Sequence, residues 1–337
     1  MAIKLGINGL GRIGKLVLRL SLARPEIEVV HINDMMDTQL MAHLLKYDSI
    51  HGRLQAEITY NADHIFIDGK AIRVSNKSKP SEIPWEESGT EYVVDSCGRF
   101  KTATTLEGHL LHNVQKVVLS CPPDDYSIDK VIVMGVNDST ITSTDRIISN
   151  ASCTTNCVAV MLKVLIDEFG VESAFMNTIH PTTNNQNLQD GYHSDYRRAR
   201  SAINNIIPTT SSAIRSVHRI IPEMEGKFKG IATRIPILDC SYVELCANLK
   251  CDVTEDMINQ AFLKHSKNAH LGRFLEYTQD PIVSSDITDN PHSAIFDALS
   301  TKIINNRFIQ IIAWYDNEFG YSSRILDLIT LIANHGK

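Results

Sequence analysis

The chain opens on a short apolar run, Ile3–Ile7, followed by glycines at 9, 11 and 14 and then by apolar residues at helical spacing, Leu16, Val17, Leu20 and Leu22. A second apolar run, Ile27–Ile32, comes next, so the pattern predicts strand, helix, strand. Further runs at Tyr92–Ser96, Lys116–Ser120, Val131–Gly135 and Ile147–Ser149 are separated by glycine and polar connections. Residues 1–150 therefore read as alternating strands and helices, as a doubly wound sheet requires. The second half differs. Ala174–Ile179, Lys229–Arg234, Tyr242–Lys250 and Arg307–Trp314 are longer and alternate better, which predicts a mostly antiparallel sheet. Between them lies 181–208, a polar stretch rich in Asn, Gln, Arg and His, and loops of that length inside compact domains are usually functional. Ser322–His335 is amphipathic through Ile325, Leu326, Leu328, Ile329 and Ile332 and predicts a closing helix.

Two segments of this pattern carry candidate chemistry. After the strand ending at Ser149, the residues Cys157, Val160, Met161, Val164 and Leu165 fall on one helical face. Ser152 or Thr154 would cap that helix, placing Cys153 in its first turn beside unpaired N–H groups and the positive end of the dipole. That setting favours the thiolate, the nucleophilic form. Cys153 and Cys157 also fit as small core residues at i and i+4, and the segment alone leaves both readings open.

The second segment is Gly9-x-Gly11-x-x-Gly14. It follows a strand, opens a helix, and has Asp34 about twenty residues on, at the end of the next strand. Gly9 allows the tight turn, Gly11 lets backbone approach a pyrophosphate, and Gly14 permits close helix–strand packing. Asp34 would accept hydrogen bonds from the adenosine ribose and repel a 2′-phosphate, favouring NAD over NADP.

Composition narrows the class. With 337 residues the chain can build two domains with substantial cores. A net charge of −6 gives no general attraction to nucleic acid or an anionic membrane. No apolar run approaches a membrane span. The seven cysteines are odd in number and scattered, and no leader pattern precedes them, so a reducing cytoplasm is expected. Cys240, Cys246 and Cys251 lack paired spacing and read as packing residues rather than zinc ligands; no metal is expected.

Longer stretches carry a resemblance that runs essentially from end to end: Ile7–Gly14, Ala42–Ser49, Ala151–Cys157, Ile206–Pro208 and Trp314–Glu318. On these the chain resembles the phosphorylating glyceraldehyde-3-phosphate dehydrogenase family, which includes erythrose-4-phosphate dehydrogenase. The resemblance implies an α/β fold in which 1–151 plus a C-terminal helix, 318–337, form a Rossmann-type NAD-binding domain with a doubly wound sheet. It implies that 152–317, including the loop 181–208, form an α+β catalytic domain with a mostly antiparallel sheet. Cys153 would attack an aldehyde to give a thiohemiacetal, and His180 would pair with the thiolate and then serve as acid–base. Hydride would pass to NAD, and phosphate would release the remaining thioester as an acyl phosphate. Asn317 would hold the nicotinamide carboxamide, with Arg12, Ile13 and Ser120 as further cofactor contacts. The substrate phosphate would meet Thr183 and Arg234, whose apolar surroundings also favour an anionic partner. The attacking phosphate would meet Ser152, Thr154, Ser211 and Ser212, beside the run Arg197-Arg198-Ala199-Arg200, from which Arg198 is the candidate contact.

Several positions depart from the family pattern. Asn185 stands where many members have a second threonine and others an acid, and would still hydrogen-bond a phosphate or sugar hydroxyl. Ser211-Ser212 replaces Thr-Gly, and Cys97 replaces a threonine. Asp190–His193 and Asn290–Ala294 look more like the erythrose-4-phosphate branch, while Thr183 with Arg234 looks more like the glycolytic one. The expectation is a cytoplasmic homotetramer that converts glyceraldehyde-3-phosphate, inorganic phosphate and NAD to 1,3-bisphosphoglycerate. The alternatives are an erythrose-4-phosphate dehydrogenase, a semialdehyde dehydrogenase, and a non-catalytic NAD-binding regulatory protein, against which Cys153 and His180 argue.

Overall fold

A computed structural model describes residues 2–334. Position 1 and the end of the expected closing helix, 335–337, lie outside the described residues. The chain begins β1 (Ile3–Asn8), α1 (Arg12–Ser21), β2 (Ile27–Asn33), α2 (Thr38–Lys46), β3 (Ile58–Tyr60), β4 (His64–Ile67) and β5 (Lys70–Ser75). It continues through β6 (Tyr92–Asp95), α3 (Ala103–Leu106), β7 (Lys116–Leu119), β8 (Lys130–Val131) and β9 (Ile147–Ser149). Then come α4 (Cys153–Phe169), β10 (Val171–Pro181), β11 (Ile207–Thr209), α5 (Ala213–Ile220), β12 (Phe228–Ile235) and β13 (Ser241–Leu249). The remainder is α6 (Glu255–Ser266), β14 (Leu275–Thr278), β15 (Ala294–Ile304), β16 (Phe308–Tyr315) and α7 (Phe319–Asn334).

Two compact units result. The first comprises the residues up to Ile132, Ser139–Ala151, and those from Ser322 on; the second comprises Val133–Asp138 and Ser152–Tyr321. The first holds a nine-stranded sheet in the order β3-β4-β5-β2-β1-β6-β7-β9-β8. Its central pairs are parallel, and only the β3–β4–β5 edge is antiparallel. The central strands β6 and β7 are buried along their whole length around Val93–Val94 and Val117–Leu119, as parallel sheets covered on both faces demand. The second unit holds a seven-stranded sheet, β11-β12-β10-β13-β16-β15-β14, with antiparallel pairs at β11–β12, β10–β13, β13–β16 and β15–β16. There β13 and β16 alternate buried with half-buried residues along much of their length.

Three expectations are corrected. The strand Val131–Gly135 ends at Val131, because Asn137 Oδ1 accepts from Val133 N–H at 2.8 Å and Gly135 turns at φ +84. Leu22 is not on the buried face: α1 stops at Ser21, and Leu22 caps it 46% exposed while Leu16, Val17 and Leu18 fill the core. Cys251 is exposed beyond the end of β13, its sulfur 3.6 Å from Phe169 O, whereas Cys240 is buried. Strands β3–β5, β14 and the long β15 are additions to the sequence reading. Among the described residues, no helix is long and apolar enough to cross a membrane.

Candidate active site

In the first unit a cleft lies at the carboxyl ends of β1 and β2, lined by Gly9, Gly11, Asn33, Asp34, Lys77 and Cys97 among others. Gly9 holds φ +95, a conformation that disfavours any side chain. A Cβ at Gly14 would lie 2.0 Å from Gly9 O, so the helix can approach the strand only with glycine there. A Cβ at Gly11, which starts α1, would meet no protein atom within 4 Å. Nothing inside the protein demands glycine at 11, and the space it frees is the space a pyrophosphate needs at a helix N-terminus. Asp34 Oδ2 accepts from Leu10 N–H at 2.6 Å and Oδ1 from Met36 N–H at 3.0 Å, which fixes the carboxylate on the cleft wall.

Two cations, Arg12 and Lys15, occupy the first turn of α1, which contains no acid. Arg12 Nη1 reaches Asp48 Oδ2 at 2.5 Å and Lys15 Nζ reaches it at 3.5 Å. Burial would raise the Asp48 carboxyl, but the Arg12 bond and the N–H groups of Ile50 and His51 prevail and hold it well below the usual range. Ile13 is half-buried in the same turn. Ser120, just past β7, is partly exposed and donates its N–H to Asp95 O at 2.9 Å.

In the second unit the thiol begins α4. Ser152 is the N-cap: its Oγ accepts from Thr155 N–H at 3.0 Å. Ala151, the residue before it, is buried with φ +55, an uncommon conformation for a side-chain-bearing residue. Cys153 Sγ lies 3.5 Å from His180 Nε2. His180 stands on β10 opposite Arg234 of β12. Its Nδ1 is 2.9 Å from Pro181 O and 2.5 Å from Arg234 Nη1, which also donates to Pro181 O at 2.9 Å. Two tautomers fit. With Nδ1–H donating to Pro181 O, the Nε2 lone pair faces the thiol; with Nδ1 accepting from Arg234, Nε2–H faces sulfur.

The electrostatics reverse one expectation. Burial pushes the Cys153 thiol up despite the Arg234 charge and the bonds from Thr154 that favour the thiolate. Burial, then the Arg234 charge, hold the His180 imidazole down to about 3. Neither group carries charge comfortably alone. A proton moved from Sγ to Nε2 charges both at once, and at 3.5 Å their attraction is worth about 5 kcal/mol at an effective dielectric near 20.

The anion-site candidates fall into distinct settings. Arg198 Nε donates to Thr209 Oγ1 at 2.8 Å and lies 3.6 Å from Asp195, and its charge is felt at Arg234. Arg197 and Arg200 instead tie the loop to Pro208 O and Asp190. Thr183 and Asn185 are exposed, and His193 Nε2 lies 3.5 Å from Asn185 Oδ1. Ser211 is partly exposed and Ser212 exposed at the start of α5. Thr154 is buried, and its hydroxyl also bonds the Cys153 thiol. Its hydroxyl is buried 2.9 Å from Tyr315 Oη, which also lies 2.9 Å from Thr178 Oγ1. Asn317 is buried, and Ser241 Oγ donates to its Oδ1 at 2.7 Å, turning the amide nitrogen into the end that can donate to a carboxamide. Tyr315, Ser241 and Asp48 were not singled out from the sequence. Tyr315 and Asp48 sit within stretches that carry the resemblance, which was their available signal.

Comparison with known proteins completes the description. Residues 3–103 match the model of the glyceraldehyde 3-phosphate dehydrogenase NAD-binding domain, and residues 152–317 that of the C-terminal domain of the same family. The chain is 44% identical over 337 residues to glyceraldehyde-3-phosphate dehydrogenase 1 of Bacillus subtilis, covering all of both chains. It is 45% identical over 336 residues to the glyceraldehyde-3-phosphate dehydrogenase of Streptomyces coelicolor, covering 99% of each. Against the enzyme of the same name from Geobacillus stearothermophilus it is 44% identical over 337 residues, again covering all of both.

Proposed function

The chain belongs to the glyceraldehyde-3-phosphate dehydrogenase family, and we propose on that premise that it oxidises glyceraldehyde-3-phosphate in the presence of inorganic phosphate to 1,3-bisphosphoglycerate. The observation that carries the reading is the placement of Cys153 Sγ at 3.5 Å from His180 Nε2, with Arg234 against the other imidazole nitrogen. His180 takes the thiol proton, the sulfur attacks the aldehyde carbon as the C=O π bond opens, and His180 returns that proton to the carbonyl oxygen to give the thiohemiacetal. His180 then accepts the proton of the thiohemiacetal hydroxyl as the carbon loses hydride. NAD supplies the hydride acceptor. Phosphate attacks the resulting thioester, and Cys153 leaves as the thiolate.

The cleft around Gly11 and Asp34 supports NAD as the dinucleotide, because a carboxylate on the ribose wall repels a 2′-phosphate. We assign the dinucleotide to 1–151 with the C-terminal helix and the aldehyde chemistry to 152–317. Arg234 and Arg198 are the cations proposed for the two phosphates, with Thr183, Asn185, Ser152, Thr154, Ser211 and Ser212 supplying neutral donors. A homotetramer is proposed from the family and from the exposed apolar side chains of the loop 181–208. A reducing cytoplasmic setting is proposed from seven thiols that are all free of disulfides.

The test is steady-state NAD reduction with glyceraldehyde-3-phosphate against erythrose-4-phosphate at saturating phosphate. The expected result is a kcat/KM at least tenfold higher for the three-carbon sugar. Preference for the four-carbon sugar would assign Asn185 and His193 to an enlarged sugar pocket, and turnover of neither would overturn the proposal.

A further inference from the structure

A row of hydroxyls runs from Cys153 into the second unit. Thr154 Oγ1 bonds the Cys153 thiol and lies 2.9 Å from Tyr315 Oη. Tyr315 Oη lies 2.9 Å from Thr178 Oγ1, and Thr178 Oγ1 donates to Tyr242 O at 3.1 Å. Thr154, Tyr315 and Thr178 are all buried, so their hydroxyls satisfy one another rather than water. Burial and then the Cys153 charge push the Tyr315 hydroxyl up, so it keeps its proton and can only rotate.

The hydrogens available set the direction of the row. Each hydroxyl has one to donate. Tyr242 O can only accept, and so can the sulfur once it is a thiolate. Three hydrogens cannot fill four links between two acceptors. While the thiol keeps its proton, Thr154 donates to Tyr315, Tyr315 to Thr178 and Thr178 to Tyr242 O, with Thr154 Oγ1 open to Sγ–H. When the thiol proton passes to His180 Nε2, Thr154 turns its hydrogen to the sulfur. Tyr315 then donates to Thr154 and Thr178 to Tyr315. Every oxygen keeps its own proton, and the link given up is the one to Tyr242 O.

We propose that Tyr315 and Thr178 are positioning residues for the nucleophile: their hydroxyls reverse direction when Cys153 ionises, and the bond from Thr178 to Tyr242 O holds the row in the order that favours the thiol. Both act through Thr154. The other groups that face Cys153 are His180 of β10, Arg234 of β12 and Cys157 of α4. His292 and Asp316 line the small pocket beside the thiol. His292 Nδ1 is 3.0 Å from Glu276 Oε2, and the Asp316 carboxylate accepts from the N–H groups of Asp289, Glu318 and Phe319. The side chain of Thr178 bonds only Tyr242 O and Tyr315 among the described residues, so a change there reaches the sulfur through Tyr315 and Thr154.

The experiment is the rate of Cys153 alkylation by iodoacetamide against pH, read on the Cys153 peptide by mass spectrometry. The proteins are the parent, Thr178→Val, Thr178→Ser, Tyr315→Phe, and Tyr315→Phe with Thr178→Val. Thr178→Val keeps the shape and removes the hydroxyl, which leaves Tyr315 to donate to Thr154. The expected result is a midpoint lower by about half a pH unit, or about three times more thiolate below the midpoint. Thr178→Ser should keep the parent profile. Once Tyr315→Phe has cut the row, adding Thr178→Val should move nothing further. An unmoved or raised midpoint in Thr178→Val overturns the proposal. So does a shift that Thr178→Ser shares, or one that survives in the Tyr315→Phe background. Should Tyr315→Phe fail to fold, Thr178→Val against Thr178→Ser decides alone. The role of the row rests on Cys153 as the nucleophile. Parent protein whose Cys153 resists alkylation overturns that reading and the row together, whereas ordinary alkylation with unmoved profiles overturns the row alone.

Discussion

At Cys153 two influences oppose each other, and their magnitudes decide the outcome. A helix N-terminus favours a nearby anion by about 0.3–1 kcal/mol, whereas removing an ion from water costs several. Burial therefore outweighs the dipole and leaves the isolated thiol protonated, with the imidazole supplying the missing stabilisation. Replacing His180→Asn removes that partner. The alkylation rate of Cys153 by iodoacetamide at pH 7 should fall at least tenfold and its pH profile move upward; an unchanged profile would show that His180 does not govern the thiol. Asp34 offers a second test at this scale. Its carboxylate is fixed by Leu10 and Met36 N–H groups, so Asp34→Ala should remove a positioned negative charge and raise kcat/KM with NADP relative to NAD at least tenfold. A constant NAD/NADP ratio would take Asp34 out of the ribose site.

Helix α1 is built against its own dipole, with Arg12 and Lys15 in a first turn that lacks acids, and Asp48 is the group that offsets them. Asp48→Asn should cost about 2 kcal/mol at pH 7 by removing charged hydrogen bonds. Because the folded carboxyl titrates below its unfolded value of about 3.9, that stability is complete above the unfolded value and is lost as pH falls toward the folded one. Urea melts should show the gap between variant and parent narrowing below about pH 4; a gap that stays constant would mean the loss is one of packing. Elements were legible in the sequence where β-branched and aliphatic residues dominate a short strand, as in β1, β2, β6 and β7, whose interiors are largely buried. They were not where polar side chains interrupt the alternation. In β15, Asp297, Ser300, Thr301 and Lys302 do so, at a register shift between Asp297 and Lys302. The glycine loop and the Cys153 segment were legible because each is a local pattern. The partnerships of Thr154 with Tyr315 and of Ser241 with Asn317 join residues 161 and 76 positions apart, and no local pattern announces them.

At the scale of the whole molecule, the loop 181–208 leaves Leu188 68%, Tyr192 96%, Tyr196 89%, Ile203 59% and Ile206 72% exposed. So many large apolar side chains on one segment need a partner surface, which is the ground for expecting four chains in native mass spectrometry. A monomer mass at micromolar concentration would remove the tetramer and leave that surface to another occupant. The helix that carries the nucleophile has the opposite character. Residues Thr154–Leu162 of α4 are all buried, and the helix packs on β10, β13, β15, β16, α5 and α6. Its peptide hydrogens can reach deuterated solvent only when the surrounding unit comes apart. Amide exchange in α4 should therefore clock the opening of this unit, and α4 amides that exchange well before the unit unfolds would show a looser helix than its burial implies.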